Sequence, residues 1–172
     1  MRIRTTALAA MISTLLPLSA LADEQPGSRY SLKADLPDTG SSIRRDVVTS
    51  SRIPFDKRYS ELTSEQRELL KRQYERMGND DEPPFPVDGL GPIYKALAAA
   101  QKKLLVEGSM VLFVEVDRGG QATSVSVLRS PDPEMTRVAA AVLMLEKYKP
   151  AVCDGAPCKM QFPFRMEFKT RF

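Results

Sequence analysis

Two cysteines, Cys153 and Cys158, stand in a chain that contains no histidine and no tryptophan. They lie in the run CDGAPC, with Asp154 to Pro157 between them. This spacing leaves three roles open: half of a metal site, a redox pair or a disulfide. The absence of histidine removes the most common general base and the most common metal ligand. We therefore expect a protein that is not an enzyme and that uses no metal and no cofactor.

Two groups of carboxylates could also do chemistry. Glu115 and Asp117 are spaced to share one face of a strand and could pair for acid–base work, but the glycines that follow favour a role beside a turn. The run Asp80-Asp81-Glu82 could bind calcium or a basic partner, although a solvated acidic exit from a helix explains it more simply. Hydrolysis is thus the weakest of the functional alternatives.

The first 22 residues have the pattern of a secretory signal peptide. Two arginines precede an apolar run over residues 7–18, and Ala20-Leu21-Ala22 fits a signal-peptidase site. We predict cleavage between Ala22 and Asp23, which gives a periplasmic protein without a stable membrane anchor. The alternative is an uncleaved anchor in the inner membrane, but the run is short for a span of about 20 residues and contains a proline.

The middle of the chain contains two helix patterns. Thr63 can cap the first helix with Gln66 as its capping-box partner, and the apolar stripe predicts a helix over residues 63–77. A second helix is predicted over residues 92–105. The apolar stripes of the two helices are Leu69, Leu70, Tyr74 and Met77, and Ile93, Ala96, Leu97 and Leu104.

From Gly108 onward the apolar residues alternate with period two. MVLFVEV, a DRGGQ hairpin signal and ATSVSVLRS predict two paired strands, and SPDPEM opens a third helix. The last segment, KMQFPFRMEFKTRF, alternates between a buried even-numbered face and a wet odd-numbered face. The predicted fold is α+β with two layers, in which a helix packs across a three-stranded antiparallel sheet. The predicted buried stripe of the third helix is Met135, Val138, Ala139, Val142 and Leu145.

This last part of the chain resembles the C-terminal domain of TonB, the periplasmic energy transducer, and its relatives. The matching pieces occur in the family's order: EGSMVLFVEVDRGG, ATSVSVLRS, the alanine-rich helix before Tyr148, KPA, a Gly-x-Pro at Gly155–Pro157 and FPFRMEF. The resemblance covers residues 84–172. The predicted organisation is therefore a signal peptide (1–22), a flexible polar arm (23–55), a helical extension (56–83) and a TonB-like C-terminal domain (84–172).

The resemblance implies that the final strand is a sheet edge. In the family this edge receives the Ton-box peptide of outer-membrane transporters by strand addition. Pro163 and the charged residues on the wet face fit an edge strand, where proline and charge discourage uncontrolled pairing. The implied function is non-enzymatic: binding of an extended peptide segment of an outer-membrane transporter, linked to TonB-dependent transport. The residues expected to meet the partner are Gln161, Phe162, Pro163, Phe164, Arg165, Met166, Glu167 and Phe168.

An alternative is a structural or adaptor envelope protein in which the helix over residues 63–77 covers the edge. A full transducer has a membrane helix and a long proline-rich spacer, whereas residues 23–84 contain no Pro-x-Pro repeat. The resemblance thus covers the binding module and not the force-transmitting parts. Domain swapping through the last strand would give a homodimer. The net charge of +3 falls to about +1 when Arg2 and Arg4 leave with the signal peptide, so we expect no nucleic-acid partner.

A disulfide between Cys153 and Cys158 is the role that the rest of the sequence favours. A metal site would need further soft or imidazole ligands, and a redox pair is normally Cys-x-x-Cys at the start of a helix. Two cysteines in an exported protein normally pair, and Asp154-Gly155 with Ala156-Pro157 can reverse the chain between them. The pair lies where the TonB-like pattern has its glycine-proline turn.

We predict that alkylation of the purified protein without reduction labels neither cysteine, and that prior reduction adds two labels in mass spectrometry. Closing so small a loop should stabilise the fold by about 2 kcal/mol. Two free thiols before reduction would contradict the pairing.

Overall fold

The elements described here come from a computed structural model, which describes residues 30–32, 43 and 53–170. The predicted cleavage site at Ala22 and Asp23, and most of the predicted arm, lie outside these residues. In chain order the elements are β1 (Tyr30–Leu32), a 3-10 turn (Tyr59–Glu61), α1 (Ser64–Lys71), β2 (Phe85–Pro86), α2 (Gly91–Leu104), β3 (Gly108–Val116), β4 (Ala122–Arg129), α3 (Pro133–Leu145), β5 (Tyr148–Lys149), β6 (Ala151–Cys153), β7 (Ala156–Cys158) and β8 (Met160–Phe168).

The central sheet has the strand order β1-β4-β3-β8. Strands β4, β3 and β8 are antiparallel neighbours, which confirms the predicted three-stranded sheet and the α+β class. The short strand β1 adds a fourth member, parallel to β4, from within the predicted arm. Strand β3 pairs with β8 over its whole length without a register shift, from Gly108 opposite Phe168 to Val116 opposite Met160. Alternating residues of β3 and β8 therefore keep one face throughout the pair.

Helices α2 and α3 cover the face of the sheet that carries the even-numbered residues of β3. Ile93 and Leu97 of α2 are fully buried there, and α2 begins and ends within one residue of the predicted limits. The sequence leaves Ser130 and Asp132 as alternative caps of α3, and the structure selects Asp132, which accepts from the Met135 N–H at 2.7 Å, with Pro133 in the first turn.

The predicted buried stripe of α3 is wrong along one side of the helix. Leu145 is 84% exposed, whereas Thr136 and Ala140 are buried together with Met135, Ala139 and Leu143. The alanine-rich sequence fits two rotations of the helix about its axis almost equally, so apolar periodicity does not distinguish them. Packing against the sheet and α2 selects the rotation in which the small residues face inward.

The helix predicted over residues 63–77 is shorter than expected. Thr63 and Gln66 form the predicted capping box, but α1 ends at Lys71. A turn follows, and the backbone of Tyr74 pairs with Ile43 in an isolated antiparallel bridge. Tyr74 is 3% exposed. The apolar stripe correctly marks the buried side, while this long-range pairing ends the helix early.

The chain after α1 pairs with the loop that follows α3. Glu82 exchanges two backbone hydrogen bonds with Val152, each of 2.9 Å, and β2 pairs with β5. Glu82 also forms a 2.9 Å ion pair with Lys149. The interpretation of the acidic run as a solvated helix exit is therefore wrong at this position. The extension and the C-terminal part share one core, in which Tyr59, Leu62, Leu70 and Phe85 pack with the sheet residues.

Cys153 and Cys158 form a disulfide across the β6–β7 hairpin, with their Cα atoms 5.8 Å apart. Asp154 and Gly155 both have positive φ, which is the turn geometry that a two-residue hairpin prefers. The reversal thus uses Asp154-Gly155 alone, and Ala156-Pro157 lies in β7. The cysteines pack against a small second cluster formed by Ile43, Tyr74, Ala151 and Met160.

No helix in residues 30–32, 43 and 53–170 is long and apolar enough to cross a membrane.

We predict that Gly120→Ala lowers the free energy of unfolding by at least about 2 kcal/mol. Gly120 has φ +79°, and an added Cβ would lie 2.1 Å from the backbone oxygen of Tyr148. Gly155 has the same φ with open space around it, so Gly155→Ala should cost only about 1 kcal/mol. Gly119→Ala is the neutral control. Urea unfolding measures all three, and equal effects of the Gly120 and Gly155 variants would contradict the clash.

Candidate functional site: the outer edge of the last strand

Among the described strands, β8 has a neighbour on one side only, β3. Backbone groups of an antiparallel strand point alternately toward and away from its partner. The carbonyls of Gln161 and Arg165 accept hydrogen bonds from side chains outside the sheet, and Pro163 between them has no N–H to donate. These observations assign the odd-numbered residues of β8 to the side that faces away from β3. We call this side the outer edge.

The division of the β8 side chains into buried and exposed faces differs from the prediction. Phe162, Phe164 and Phe168 are buried in the main core, as expected, so they are not accessible to a partner. The expectation of a wet face is wrong at Gln161, which is 4% exposed, and Pro163 is buried as well. The extension covers these positions. Arg165 and Met166 are half-buried, and Glu167 is exposed.

Tyr74 binds one end of the outer edge. Its hydroxyl donates to the Gln161 carbonyl at 2.7 Å, between residues that are 87 positions apart in the sequence. Burial raises the pKa of Tyr74 well above its ordinary value, so the hydroxyl keeps its proton and remains a donor at neutral pH. The predicted stripe included Tyr74 as a core residue, but its hydrogen bond to the edge cannot be derived from helical spacing.

Tyr94 binds the outer edge four residues further along β8. Its hydroxyl donates to the Arg165 carbonyl at 3.2 Å. The ring lies 4.5 Å from Phe55 and 5.7 Å from Phe164, measured between centroids. Sequence analysis did not single out Tyr94. The available signal was a large aromatic residue with a polar tip beside the apolar stripe of α2, which is typical of a side chain that ends at a hydrogen-bond acceptor.

A cavity of about 100 Å³ lies along the outer edge between the two tyrosines. Pro163 forms part of its wall, and the other sides come from the end of α1, the Pro83–Phe85 segment and the start of α2. The walls are mostly apolar. Residues that line it include Leu70, Tyr74, Phe85, Tyr94, Phe162 and Pro163.

The remaining candidate residues have structural roles. Glu115 forms a 2.9 Å ion pair with Lys159, where the chain enters β8. A carboxylate oxygen of Asp117 accepts from the N–H groups of Gly119 and Gln121 at 2.8 and 2.9 Å, which closes the β3–β4 turn. Within the part of the chain that the structure describes, no three His, Cys, Asp or Glu residues are grouped to hold a metal ion.

Asp81 connects the extension to the disulfide hairpin. One carboxylate oxygen accepts from the Gly78 N–H at 2.7 Å and the other from the Asp154 N–H at 3.0 Å. These backbone hydrogen bonds lower the pKa of Asp81. The contact positions the chain just after Tyr74, so the geometry at the outer edge depends in part on this carboxylate.

Residues 94–170 match the family model described as Gram-negative bacterial TonB protein C-terminal. The match begins inside α2 and ends after β8, so it includes the whole antiparallel sheet but not α1 or β2. No curated protein and no solved structure matches the chain significantly.

We predict that Asp81→Ala lowers the free energy of unfolding by about 1 kcal/mol at pH 7, since two hydrogen bonds are lost but water screens the exposed carboxylate. A lowered folded pKa stabilises the fold above the ordinary aspartate value of about 4, and this contribution disappears as the pH falls through the folded pKa. The difference between variant and wild type should therefore shrink below about pH 4. Asp80→Ala, at an exposed neighbour, is the control. Urea unfolding across pH would contradict the assignment if both variants behaved alike.

Proposed function

We propose, on the premise that residues 94–170 form a TonB C-terminal domain, that this protein captures an extended peptide segment by strand addition at the outer edge of β8. The family is a non-enzymatic protein-interaction domain family of TonB systems, and TonB-like domains are periplasmic. The proposed partner is a Ton-box-like segment of an outer-membrane transporter. The proposed location is the periplasm, after removal of the signal peptide.

The position of Pro163 shows which side of β8 faces away from β3, and so where a strand would be added. Proline in the middle of a paired strand would remove a ladder hydrogen bond, whereas Pro163 lies opposite Phe113 in an uninterrupted register. The register is kept because Pro163 belongs to the outer edge, where β3 requires no donor. The sequence thus tolerates a missing N–H on the side where an added strand would pair.

An added strand would use the backbone groups that face away from β3. Gln161 and Glu167 carry outward N–H groups, and the odd-numbered residues carry outward carbonyls, of which those of Gln161 and Arg165 already accept from tyrosine hydroxyls. Main-chain hydrogen bonds would supply affinity. Because the phenylalanines of β8 are buried, selectivity would come from the half-buried Arg165 and the exposed Glu167.

A second candidate function is supported by the two tyrosines. Tyr74 and Tyr94 occupy outer-edge carbonyls, as an extension that covers the edge permanently would do. In that case the protein is a structural or adaptor envelope protein that reuses the fold. The two functions differ in a measurable way, because only strand addition changes the environment of the β8 backbone.

We predict that a Ton-box peptide perturbs the amide signals of residues 160–168 in an NMR titration. Glu167→Pro removes one outward N–H donor without removing a hydrogen bond to β3. It should therefore lower the affinity for the peptide roughly three- to tenfold. Glu167→Ala removes the same side chain but keeps the N–H, and should bind almost as wild type.

Equal affinity of the proline and alanine variants would argue against backbone pairing. If millimolar peptide perturbs no signal between residues 160 and 168, strand addition is wrong and the covered-edge function is favoured.

A further inference from the structure

We propose that Tyr74 and Tyr94 form a tyrosine latch, an intramolecular competitor that an incoming strand must displace from the outer edge of β8. This inference rests on the proposed function and adds its regulation: the affinity for a peptide is set partly by how readily the latch opens. Its two members come from different elements, the turn after α1 and the helix α2.

The latch occupies the acceptors that an added strand would need. The hydroxyls of Tyr74 and Tyr94 donate to the carbonyls of Gln161 and Arg165 at 2.7 and 3.2 Å. In an antiparallel or parallel pair, an added strand donates its N–H groups to the same outward carbonyls. A carbonyl that is buried beneath a tyrosine ring cannot meet both partners in ladder geometry. Strand addition over the middle of β8 therefore requires both hydroxyls to leave.

The cavity lined by both tyrosines marks where the competition takes place. It lies against Pro163, midway between the two occupied carbonyls, and the rings of Tyr74 and Tyr94 are both part of its wall. Its volume of about 100 Å³ provides space along the edge while the latch is closed.

Tyr74 stands between two anchored parts of the extension. Upstream, the helix α1 packs through Leu70, which is buried in the main core. Downstream, Asp81 and Glu82 are held by Asp154 and Val152. The turn between these anchors holds Tyr74 by one backbone hydrogen bond to Lys71 at 3.0 Å and by the bridge to Ile43. Gly78 and Asn79 remain bound to Asp81 and Lys71, so only residues 72–77 would move as the Tyr74 ring leaves the second cluster.

Tyr94 can open by another route. It belongs to α2, whose neighbouring residues Ile93 and Leu97 are fully buried, so the helix backbone stays in place. The Tyr94 ring is half-buried and lies against Phe55, which is 46% exposed. Rotation of this side chain alone uncovers the Arg165 carbonyl. The two ends of the latch are thus released by a loop movement and by a side-chain movement.

Tyr74→Phe and Tyr94→Phe test the latch because each removes one hydroxyl and keeps the ring. In the closed form, the phenylalanine leaves the covered carbonyl without a hydrogen-bond donor. The open and peptide-bound forms lose no such bond, so the substitution destabilises the closed form relative to them. Each variant should bind the Ton-box peptide about three- to tenfold more tightly than wild type. Tyr148→Phe is the matched control: its ring also packs against β8, at Phe162, but its buried hydroxyl donates to a carbonyl outside β8, that of Leu143, at 3.0 Å.

Amide hydrogen exchange gives a second measurement that needs no peptide. The amides of Gln73 and Tyr74 should exchange several times faster in Tyr74→Phe than in Tyr148→Phe, when each rate is normalised to the exchange rates of the β3 amides in the same variant. Thermal unfolding confirms that each variant is folded.

The outcomes separate the latch from the proposed function. If wild type binds at residues 160–168 and neither edge variant gains affinity, the latch is wrong and strand addition stands. If exchange at Gln73 and Tyr74 responds as expected but no variant binds peptide, the latch stands as an edge cover and the proposed function is wrong. Unchanged exchange in Tyr74→Phe overturns the latch in every case.

Discussion

Every backbone N–H and C=O of β8 that does not pair with β3 must find another partner or water, and this constraint accounts for much of the molecule. The protein meets it in three ways along one strand. Tyrosine hydroxyls reach the carbonyls of Gln161 and Arg165, Pro163 has no donor to satisfy, and Glu167 is exposed to solvent. Among the described residues, the edge is thus neither fully open nor paired with another strand. Side-chain hydroxyls are exchangeable partners, which is why the same edge is compatible with capture of a peptide and with intramolecular cover.

The extension shares one hydrophobic core and several backbone hydrogen bonds with the C-terminal part of the chain. The family match covers residues 94–170, yet the loop after α3 pairs with residues 82–87, which precede the match. Glu82 pairs with Val152, and β2 with β5, so the extension supplies hydrogen-bond partners to the disulfide hairpin and its approach. Phe85 is fully buried, and its ring lies 6.3 Å from that of Phe162. The same segment therefore supports the loop before β8 and forms a wall of the cavity beside its edge.

The disulfide contributes to this arrangement through its position. Cys153 and Cys158 close a hairpin that ends two residues before β8 begins. Its turn residue Asp154 donates to Asp81, and its cysteines pack against the cluster that contains Tyr74. The covalent link thus holds the entry to β8 and the residue that covers its edge in one small unit. Between them, the hairpin and the extension set the geometry of the outer edge.

The sequence by itself determined the features that depend on neighbours a few residues away. Local patterns predict the alternation in β3 and β8, the Thr63 cap, the glycine turn after Asp117 and the pairing of the two cysteines. The family resemblance set the order of these elements. Only the tertiary structure decided the rotation of α3, the end of α1 at Lys71 and the contacts of Tyr74 and Tyr94 with β8. The hydrogen bond from Tyr74 to Gln161, for example, joins residues 87 positions apart. A periodic pattern states which face of an element is buried, but it carries no information about which distant carbonyl a buried hydroxyl will meet.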